Sequence, residues 1–193
     1  AGQNAANIAL GMGAEVTMLD TDLDKLRMSF WRYDNRVRQI ASSAFSVREE
    51  VLRADMVIGT VLIPGAKAPK LVTEEMVAQM KPGSVLVDVA IDQGGCFEGS
   101  RPTTHADPTF TVHHSIYYCV ANMPGAVPNT STWGLTNATL PYAVRLADSG
   151  WQAALAADPA LAKGLNTQDG QITCPGVAAA FDLPCQDVAD LLA

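Results

Sequence analysis

The chain has 193 residues, of which 48% are hydrophobic and 17% are charged, so it can bury a core and is not a disordered tail. Its formal net charge is −7 and its lysines and arginines are scattered, which argues against nucleic acid or an anionic membrane surface as a partner. No segment is apolar for long enough to span a bilayer, and an acidic composition is typical of cytosolic proteins, so we expect a cytoplasmic location and no membrane partner.

Helices and strands alternate over the first part of the chain. In chain order we expect a helix before Gly11, a strand at 14–20, a helix at 20–34, a strand at 36–42, a helix at 46–55, a strand at 56–63, a helix at 72–80 and a strand at 84–90. Ser46 and Thr73 are the expected N-caps of the third and fourth helices. The strands at 56–63 and 84–90 are continuously apolar, which is typical of strands covered on both faces. This order predicts an α/β fold with a doubly wound parallel sheet of the Rossmann type.

The character of the sequence changes after two further short strands, at 109–112 and 116–121. A linker rich in proline and glycine follows at 124–128. Beyond it we expect one long helix at 129–151 that Pro141 bends or interrupts. The tail then predicts short helices within 151–165, a turn flanked by strand residues at 167–173, and helices at 177–183 and 187–193.

The opening segment matches the end of a pattern that binds dinucleotides. That pattern places G-x-G-x-x-G after a strand, opens a helix, and has an acid about 20 residues further on. Gly2 begins a helix and Asp20 ends the next strand, as expected if Gly2 is the third glycine of the pattern. A carboxylate at Asp20 accepts hydrogen bonds from a ribose diol and repels a 2′-phosphate, which favours NAD over NADP. An ordinary helix, strand and aspartate give the same half-pattern, so both interpretations stay open at this point.

The middle of the chain carries a far more specific motif. Residues 90–110 read AIDQGGCFEGSRPTTHADPTF, and residues 121–142 read ANMPGAVPNTSTWGLTNATLPY. With these motifs the chain resembles the alanine dehydrogenases over essentially its whole length. It is similar, less closely, to the NAD-binding subunit of proton-translocating transhydrogenase, in which the loop after the second strand is longer and the pattern after SVLVDVA differs. The resemblance implies NAD as the cofactor and the reversible oxidative deamination of L-alanine to pyruvate and ammonia.

The resemblance also implies which residues bind the cofactor. Asp20 corresponds to the ribose acid, with Lys25 and Ser42 on the adenosine side, and residues that follow further strands line the nicotinamide end of the sheet edge. The implied cofactor-binding residues are Gly2, Asp20, Lys25, Ser42, Val61, Leu62, Val89, Ala90, Ile91, Asp92, Arg101, Val120, Ala121, Asn122 and Met123.

The resemblance makes Asp92 the catalytic residue expected in this chain. Loss of hydride from the α-carbon of alanine leaves an iminium that water attacks, and both events need a positioned proton acceptor or donor. A negative charge beside the developing positive charge also stabilises it. In the family this aspartate is paired with a histidine and a lysine from the first domain. Without the resemblance, Asp92 reads first as a loop aspartate that caps a turn before Gly94 and Gly95.

The resemblance covers only the second half of the family's chain. It implies an NAD-binding domain at 1–126 that lacks its first strand, and the C-terminal portion of the catalytic domain at 127–193. A central strand with about five buried aliphatic side chains, at ~1.5–3 kcal/mol each, is worth on the order of 10 kcal/mol, against about 5–15 kcal/mol for a whole domain. We therefore expect the chain to be unstable and inactive without the missing N-terminal half of the same protein. The family also implies a homo-oligomer, commonly a hexamer.

Two alternatives use the same nucleotide-binding fold. A transhydrogenase-type module passes hydride to another protein and needs no amino-acid pocket, whereas a non-catalytic module binds nucleotide without turnover. Lys67 and Lys70 read either as solvated loop lysines or as contacts at the cofactor edge, and His113 and His114 read as turn residues. The four cysteines read as free thiols without zinc-ligand spacing, so we expect no metal.

Overall fold

The computed structural model of the chain describes residues 1–192. These residues form two compact units, the first made of Ala1–Leu62 with Ala68–Met123 and the second of Ile63–Lys67 with the chain from Pro124 onward. Over the described range, no helix combines the length and the apolarity that crossing a membrane requires.

The first unit alternates helices and strands. Its elements are α1 (Gly2–Gly11), β1 (Val16–Asp20), α2 (Leu23–Arg32), β2 (Val37–Ala41), α3 (Ala44–Arg53), β3 (Met56–Gly59), α4 (Glu74–Ala78), β4 (Val85–Asp88), β5 (Thr109–Val112) and β6 (Ser115–Tyr118). A 3-10 turn at Ile91–Gln93 follows β4, and another at Met123–Ala126 follows β6. The predicted order of elements is confirmed, and the α/β class with it.

The strands of the first unit form two hydrogen-bonded sets. β1 pairs in parallel with β2, from Val16 opposite Val37 to Asp20 opposite Ala41. β3, β4 and β6 pair in parallel in that order, and β5 adds to β6 as an antiparallel edge strand. Within residues 1–192 neither β1 nor β3 has a strand partner on its second edge, although α1 packs against both strands. The strand order is that of a doubly wound sheet with one central position open between β1 and β3.

The main hydrophobic core of this unit packs helices α3 and α4 against the four-stranded sheet. Phe97 and Tyr117 are its largest fully buried side chains and meet edge to face, with their ring centroids 6.2 Å apart. Leu86 of β4 and Val77 of α4 are completely buried beside them. Because Phe97 belongs to the loop after β4, that loop is anchored in the core.

The N-cap expected for α3 is wrong. Ser43, and not Ser46, caps this helix, because the Ser43 hydroxyl accepts a hydrogen bond from Ser46 N at 3.1 Å. The Ser46 hydroxyl in turn accepts from Ser43 N at 2.8 Å, so the two serines form a capping box and the helix begins earlier than expected. Thr73 caps α4 as predicted.

β3 departs from the expectation of a strand covered on both faces. It spans Met56–Gly59 and not the whole apolar run 56–63. Val57 packs against the main core, whereas Met56 and Ile58 point to the opposite face and are 56% and 37% exposed. Within the described residues α1 covers that face of β3 only in part, and for this reason the apolar run overestimates its burial.

The second unit is mostly helical, as predicted. Its elements are α5 (Pro128–Ser149), α6 (Trp151–Ala157), α7 (Pro159–Ala162), β7 (Thr167–Gln168), β8 (Gln171–Ile172), α8 (Pro175–Phe181) and α9 (Val188–Leu192). β7 and β8 form the predicted hairpin. α5 continues through Pro141 without interruption, because the proline removes one backbone donor while the turns on either side keep theirs. The last residue of the helix predicted at 187–193 lies outside the described residues.

Candidate functional site

The carboxyl ends of the parallel strands gather at one edge of the first unit. α1 begins beside the end of β3, since a Cβ atom built on Gly2 would lie 2.7 Å from Thr60 Oγ1. α1 then runs back along the sheet and a short connection leads into β1, so β1 ends where α1 begins. Of the predicted site residues at this edge, Asp20 ends β1, and Ser42, Leu62, Asp92 and Asn122 come after β2, β3, β4 and β6.

Gly2 permits the close approach of α1 to β3. A side chain at this position would overlap Thr60, as the 2.7 Å distance shows. The N-cap residue Ala1 provides no side-chain hydrogen bond, so the first-turn amides of α1 are free of a side-chain cap. These amides and the positive end of the helix dipole favour an anion at the helix start.

Asp20 and Ser42 lie side by side at the ends of β1 and β2. Ser42 N donates to the Asp20 carbonyl oxygen at 2.9 Å. One carboxylate oxygen of Asp20 accepts a hydrogen bond from Asp22 N at 2.9 Å, and the other accepts none from residues 1–192. The structure therefore brings Asp20 and Ser42 together and leaves one Asp20 oxygen available to a ligand.

Lys25 lies at the start of α2, beside the capping residue Asp22. The Asp22 carboxylate accepts from Asp24 N at 2.9 Å and from Lys25 N at 3.2 Å. The hydrogen bond from Lys25 N is the main cause that holds the pKa of Asp22 below its usual value. Lys25 Nζ stands 3.7 Å from the same carboxylate. Lys25 thus has a carboxylate partner at its own helix start.

The turn after β4 is organised around one buried carboxylate. Asp88 ends β4 and is completely buried. Its oxygens accept hydrogen bonds from Ala90 N at 3.1 Å, Cys96 N at 2.9 Å, Phe97 N at 3.3 Å, Ser100 Oγ at 2.6 Å and Cys96 Sγ at 3.4 Å. A buried carboxylate needs such donors to offset its lost hydration. The loop from residue 89 to residue 100 consequently wraps around Asp88.

Asp92 stands on the 3-10 turn within this loop. Ala90 and Ile91 are buried, whereas Asp92 is exposed. Among the residues that the structure describes, none forms a hydrogen bond with the Asp92 carboxylate. The turn-capping role that the sequence alone allowed for Asp92 belongs to Asp88. Val89 N donates to the Gly59 carbonyl at 2.9 Å, so the turn stays attached to the end of β3.

Lys70 holds the same loop from another side. Its ammonium donates to the carbonyl oxygens of Gly94 at 2.7 Å, Gly95 at 2.8 Å and Phe97 at 3.1 Å. A lysine ammonium has three donors, and all three are used here. Lys70 is therefore a ligand of the loop and not a freely solvated lysine.

The segment after β6 and the pair Val61 and Leu62 after β3 also lie at the carboxyl edge of the parallel strands. Val120 is completely buried, and Ala121 N donates to the Thr103 carbonyl at 3.1 Å. Val61 packs against the main core, whereas Leu62 is 67% exposed. Buried residues thus anchor these segments and leave their neighbours at the surface.

Asn122 and Met123 continue from Ala121 into the 3-10 turn Met123–Ala126. Asn122 has a φ of +55°, and its carbonyl oxygen lies 3.1 Å from His105 Nε2. Arg101 follows the Asp88 loop, and its guanidinium carbon lies 4.1 Å from the centroid of the Phe110 ring. This stacking on an aromatic face gives Arg101 a partner within the chain.

The cysteine and histidine side chains of the first unit are buried, lie in a turn or contact the backbone. Burial, followed by the charge of Asp88, raises the pKa of Cys96 far above its usual value, and burial raises the pKa of Cys119. Both thiols stay protonated and are poor nucleophiles. His113 lies in the β5–β6 turn with a φ of +53°, as predicted, and His114 Nε2 is 2.7 Å from the Met80 carbonyl. Over the described residues, no cluster of histidine, cysteine, aspartate and glutamate side chains suits a metal ion.

Sequence reasoning missed Asp88. It lies inside a run, residues 84–90, whose other members are mostly apolar, so the run predicts only a buried strand. The signal available in the sequence was the single acid in that run, followed by a loop with two adjacent glycines. A carboxylate that must be buried needs several donors, and a tight loop rich in free amides supplies them.

Comparisons with known proteins identify the family of the chain. Residues 1–175 match the family model described as the alanine dehydrogenase/PNT C-terminal domain. Over 193 residues the chain is 60% identical to the alanine dehydrogenase of Mycolicibacterium smegmatis and 58% identical to that of Mycobacterium tuberculosis. Each alignment covers 100% of this chain and 52% of the relative, so the chain spans about half the length of the curated relatives it matches.

Solved structures give the same result. An L-alanine dehydrogenase superposes with a TM-score of 0.81 at 46% identity, over 94% of this chain and 50% of that protein. A transhydrogenase from Sinorhizobium meliloti is more distant, with a TM-score of 0.57 at 32% identity over 65% of this chain and 35% of that one. The resemblance to alanine dehydrogenases is thereby confirmed. The chain belongs to the alanine dehydrogenase/PNT C-terminal domain family.

Proposed function

We propose that the chain is the cofactor-binding half of an NAD-dependent alanine dehydrogenase, which deaminates L-alanine to pyruvate and ammonia and catalyses the reverse reaction. One observation carries the proposal. An exposed Asp92 stands at the carboxyl edge of the sheet, on a turn fixed by a buried carboxylate, in a chain 60% identical throughout to an alanine dehydrogenase.

The residues at the sheet edge fit a dinucleotide. The uncapped start of α1 suits the pyrophosphate, and Gly2 leaves no side chain in its way. The available oxygen of Asp20 suits a ribose diol, with Ser42 beside it. Lys25, whose ammonium lies 3.7 Å from the Asp22 carboxylate, is proposed to face the adenosine side. The nicotinamide end would be held by Val61, Leu62, Val89, Ala90, Ile91, Asp92, Arg101, Val120, Ala121, Asn122 and Met123. Bound NAD accepts the hydride that leaves the substrate.

Asp92 supplies the charge and the proton transfer on this side of the site. Its exposed carboxylate carries no hydrogen bond within the described residues, so it is free to take or give a proton near the α-carbon. It also stabilises positive charge that develops on the substrate. The loop around Asp88 keeps Asp92 in place, so little motion is needed to use it.

The rest of the site belongs to a further part of the polypeptide. We propose that residues 1–126 form the cofactor domain, that residues from 127 onward belong to the catalytic domain, and that an N-terminal half supplies a lysine and a histidine. The relatives' greater length and the open position between β1 and β3 support this proposal. The full-length protein, meaning this chain together with that half, is proposed to be a cytoplasmic homo-oligomer, with a hexamer as the expected form.

The experiment that tests the proposal is turnover by the full-length protein. Formation of NADH from L-alanine and NAD is followed by absorbance. Asp92→Asn should lower kcat by about 100-fold to 10,000-fold, the usual worth of a positioned acid or base, while NAD affinity changes little. Asp107→Asn is the matched control, because Asp107 is also an exposed loop aspartate of the first unit. An unchanged kcat in Asp92→Asn rejects the proton-transfer role.

A transhydrogenase-type module is the second candidate, and the match to the transhydrogenase structure favours it. It predicts hydride exchange between two nucleotides and no dependence on alanine. The same protein assayed with a second nucleotide in place of alanine separates the two functions, and binding of NAD without turnover in either assay indicates the non-catalytic module.

A further inference from the structure

Opposite charges hold the loop that carries Asp92. The amides of Cys96 and Phe97 point at the buried Asp88 carboxylate, at 2.9 Å and 3.3 Å. The Phe97 carbonyl points instead at the Lys70 ammonium, at 3.1 Å. Phe97 is thus bound through its amide to one charge and through its carbonyl to the other. Hydrogen bonds to charged groups are shorter and stronger than those between neutral groups.

The segment from residue 68 to residue 71 donates hydrogen bonds to five consecutive carbonyl oxygens of the loop, those of residues 93–97. The bonds run from Ala68 N to the Gln93 carbonyl at 2.9 Å, from Leu71 N to the Cys96 carbonyl at 2.8 Å, and from Lys70 Nζ to the carbonyls of Gly94, Gly95 and Phe97. Pro69 lies within this segment and has no N–H. The ammonium of Lys70 therefore supplies donors that the backbone at Pro69 cannot.

Asp92 depends on this arrangement for its position. Its carboxylate forms no hydrogen bond to residues 1–192, so the backbone alone determines where it stands. The next residue, Gln93, carries the first of the five bound carbonyls. Gly94 and Gly95 follow with φ values of +87° and +73°. Two glycines in succession are flexible unless their peptide groups are held.

We propose that Lys70 is a positioning residue for Asp92. Its ammonium, opposed by the Asp88 carboxylate, fixes residues 93–97 and thereby places Asp92 for proton transfer. This inference rests on the proposed function of Asp92. Lys70 acts through the loop and not by contact with the substrate. Without the ammonium three carbonyls turn to water, the glycine pair is released, and Asp92 loses its fixed place.

The test compares Lys70→Ala, Lys70→Arg and Lys67→Ala in the full-length protein. Because a displacement of about 1 Å in a catalytic group costs up to about 100-fold in rate, Lys70→Ala should lower kcat by about 10-fold to 100-fold. NAD affinity should stay close to that of the wild type. Lys70→Arg keeps the charge but presents a planar fork, so its kcat should be intermediate. Lys67→Ala, an exposed lysine close by in sequence, should match the wild type.

Two further measurements separate positioning from general damage. The double variant with Lys70→Ala and Asp92→Asn should be no slower than Asp92→Asn alone, because both changes remove the same proton transfer. Multiplying losses would overturn the proposal. Amide exchange at Cys96 and Phe97 should accelerate in Lys70→Ala and stay unchanged in Lys67→Ala, and equal exchange in the two would also overturn it.

Each outcome points to one conclusion. A wild-type protein that cannot oxidise alanine overturns the proposed function, and the positioning role with it. Turnover that depends on Asp92 but not on Lys70 overturns the positioning role alone. Should Lys70→Ala fail to fold, Lys70→Arg carries the same rate, double-variant and exchange measurements.

Discussion

Replacing Gly95 by alanine should cost far more stability than replacing its neighbour Gly94. Both residues have positive φ, +73° and +87°, so an alanine at either position carries backbone strain of about 1–2 kcal/mol. A Cβ atom on Gly94 would meet nothing within 4 Å. A Cβ atom on Gly95 would lie 2.7 Å from Asp88 Oδ2 and 2.8 Å from Ser100 Cβ. Comparing the two alanine variants therefore separates the cost of backbone strain, which both share, from the cost of overlap with Asp88, which only Gly95→Ala has.

The overlap at Gly95 is expensive to relieve. The Asp88 oxygen that would have to move accepts hydrogen bonds from Cys96 N at 2.9 Å and from Ser100 Oγ at 2.6 Å. Overpacking a buried site costs about 1–3 kcal/mol, and each hydrogen bond to a charged group contributes about 1.5–3 kcal/mol. Strain and overpacking together give a loss of about 2–5 kcal/mol for Gly95→Ala, and breaking one of these hydrogen bonds would bring the loss to about 3.5–8 kcal/mol, against about 1–2 kcal/mol for Gly94→Ala.

Urea denaturation of the full-length protein and both variants, followed by circular dichroism, measures this difference as a shift in midpoint. Gly94→Ala is the matched control, since it shares the strain and lacks the overlap. Equal losses in the two variants would show that Asp88 is not packed against Gly95. A larger loss in Gly94→Ala would refute the reasoning altogether.

Three further predictions concern the capping residue, the thiols and the isolated chain. Because folding lowers the pKa of Asp22, its stabilisation is complete above its unfolded pKa of about 3.9 and is lost as the pH falls through the folded value. Asp22→Ala should lower the urea midpoint at pH 7, and the difference from the wild type should vanish in strong acid. Iodoacetamide at pH 8 should label the exposed Cys185 and spare the buried Cys96 until urea is added, as peptide mass spectrometry will show. Residues 1–193 produced alone should show no cooperative thermal transition and no alanine-dependent NADH formation, and either observation would contradict the need for a second half.

The sequence predicts most elements of the fold because their signals are local. Alternating helices and strands follow from hydrophobic spacing, and Thr73 is correctly predicted as the N-cap of α4. The sequence alone does not fix the start of α3, because Ser43 and Ser46 are both good N-cap residues and each accepts a hydrogen bond from the backbone of the other. The burial of β3 was overestimated because a run of apolar residues does not reveal which face is covered.

The sequence predicts which residues lie at the edge of the candidate site, but it does not predict the hydrogen bonds that hold the Asp92 loop in place. Asp20 and Asp92 stand out by position after strands and by family resemblance. The bonds that fix the Asp92 loop join Lys70 to residues 24 to 27 positions later in the chain. Neither hydropathy nor spacing reports contacts at such separations. Only the folded arrangement shows that Lys70 and Asp88 act on the same loop.

The open strand edges have a practical consequence for work on this chain. β1 and β3 each present a row of backbone donors and acceptors without a strand partner inside residues 1–192. Unpaired strand edges of this kind form hydrogen bonds with strands of other molecules. The exposed apolar side chains of Met56 and Ile58 on β3 favour such association further. Purification of this half on its own therefore invites intermolecular sheets and precipitation. The open position between β1 and β3 also offers a remedy. A short soluble peptide that pairs in parallel with both strands would compete with aggregation. It would allow this half to be studied by complementation in trans.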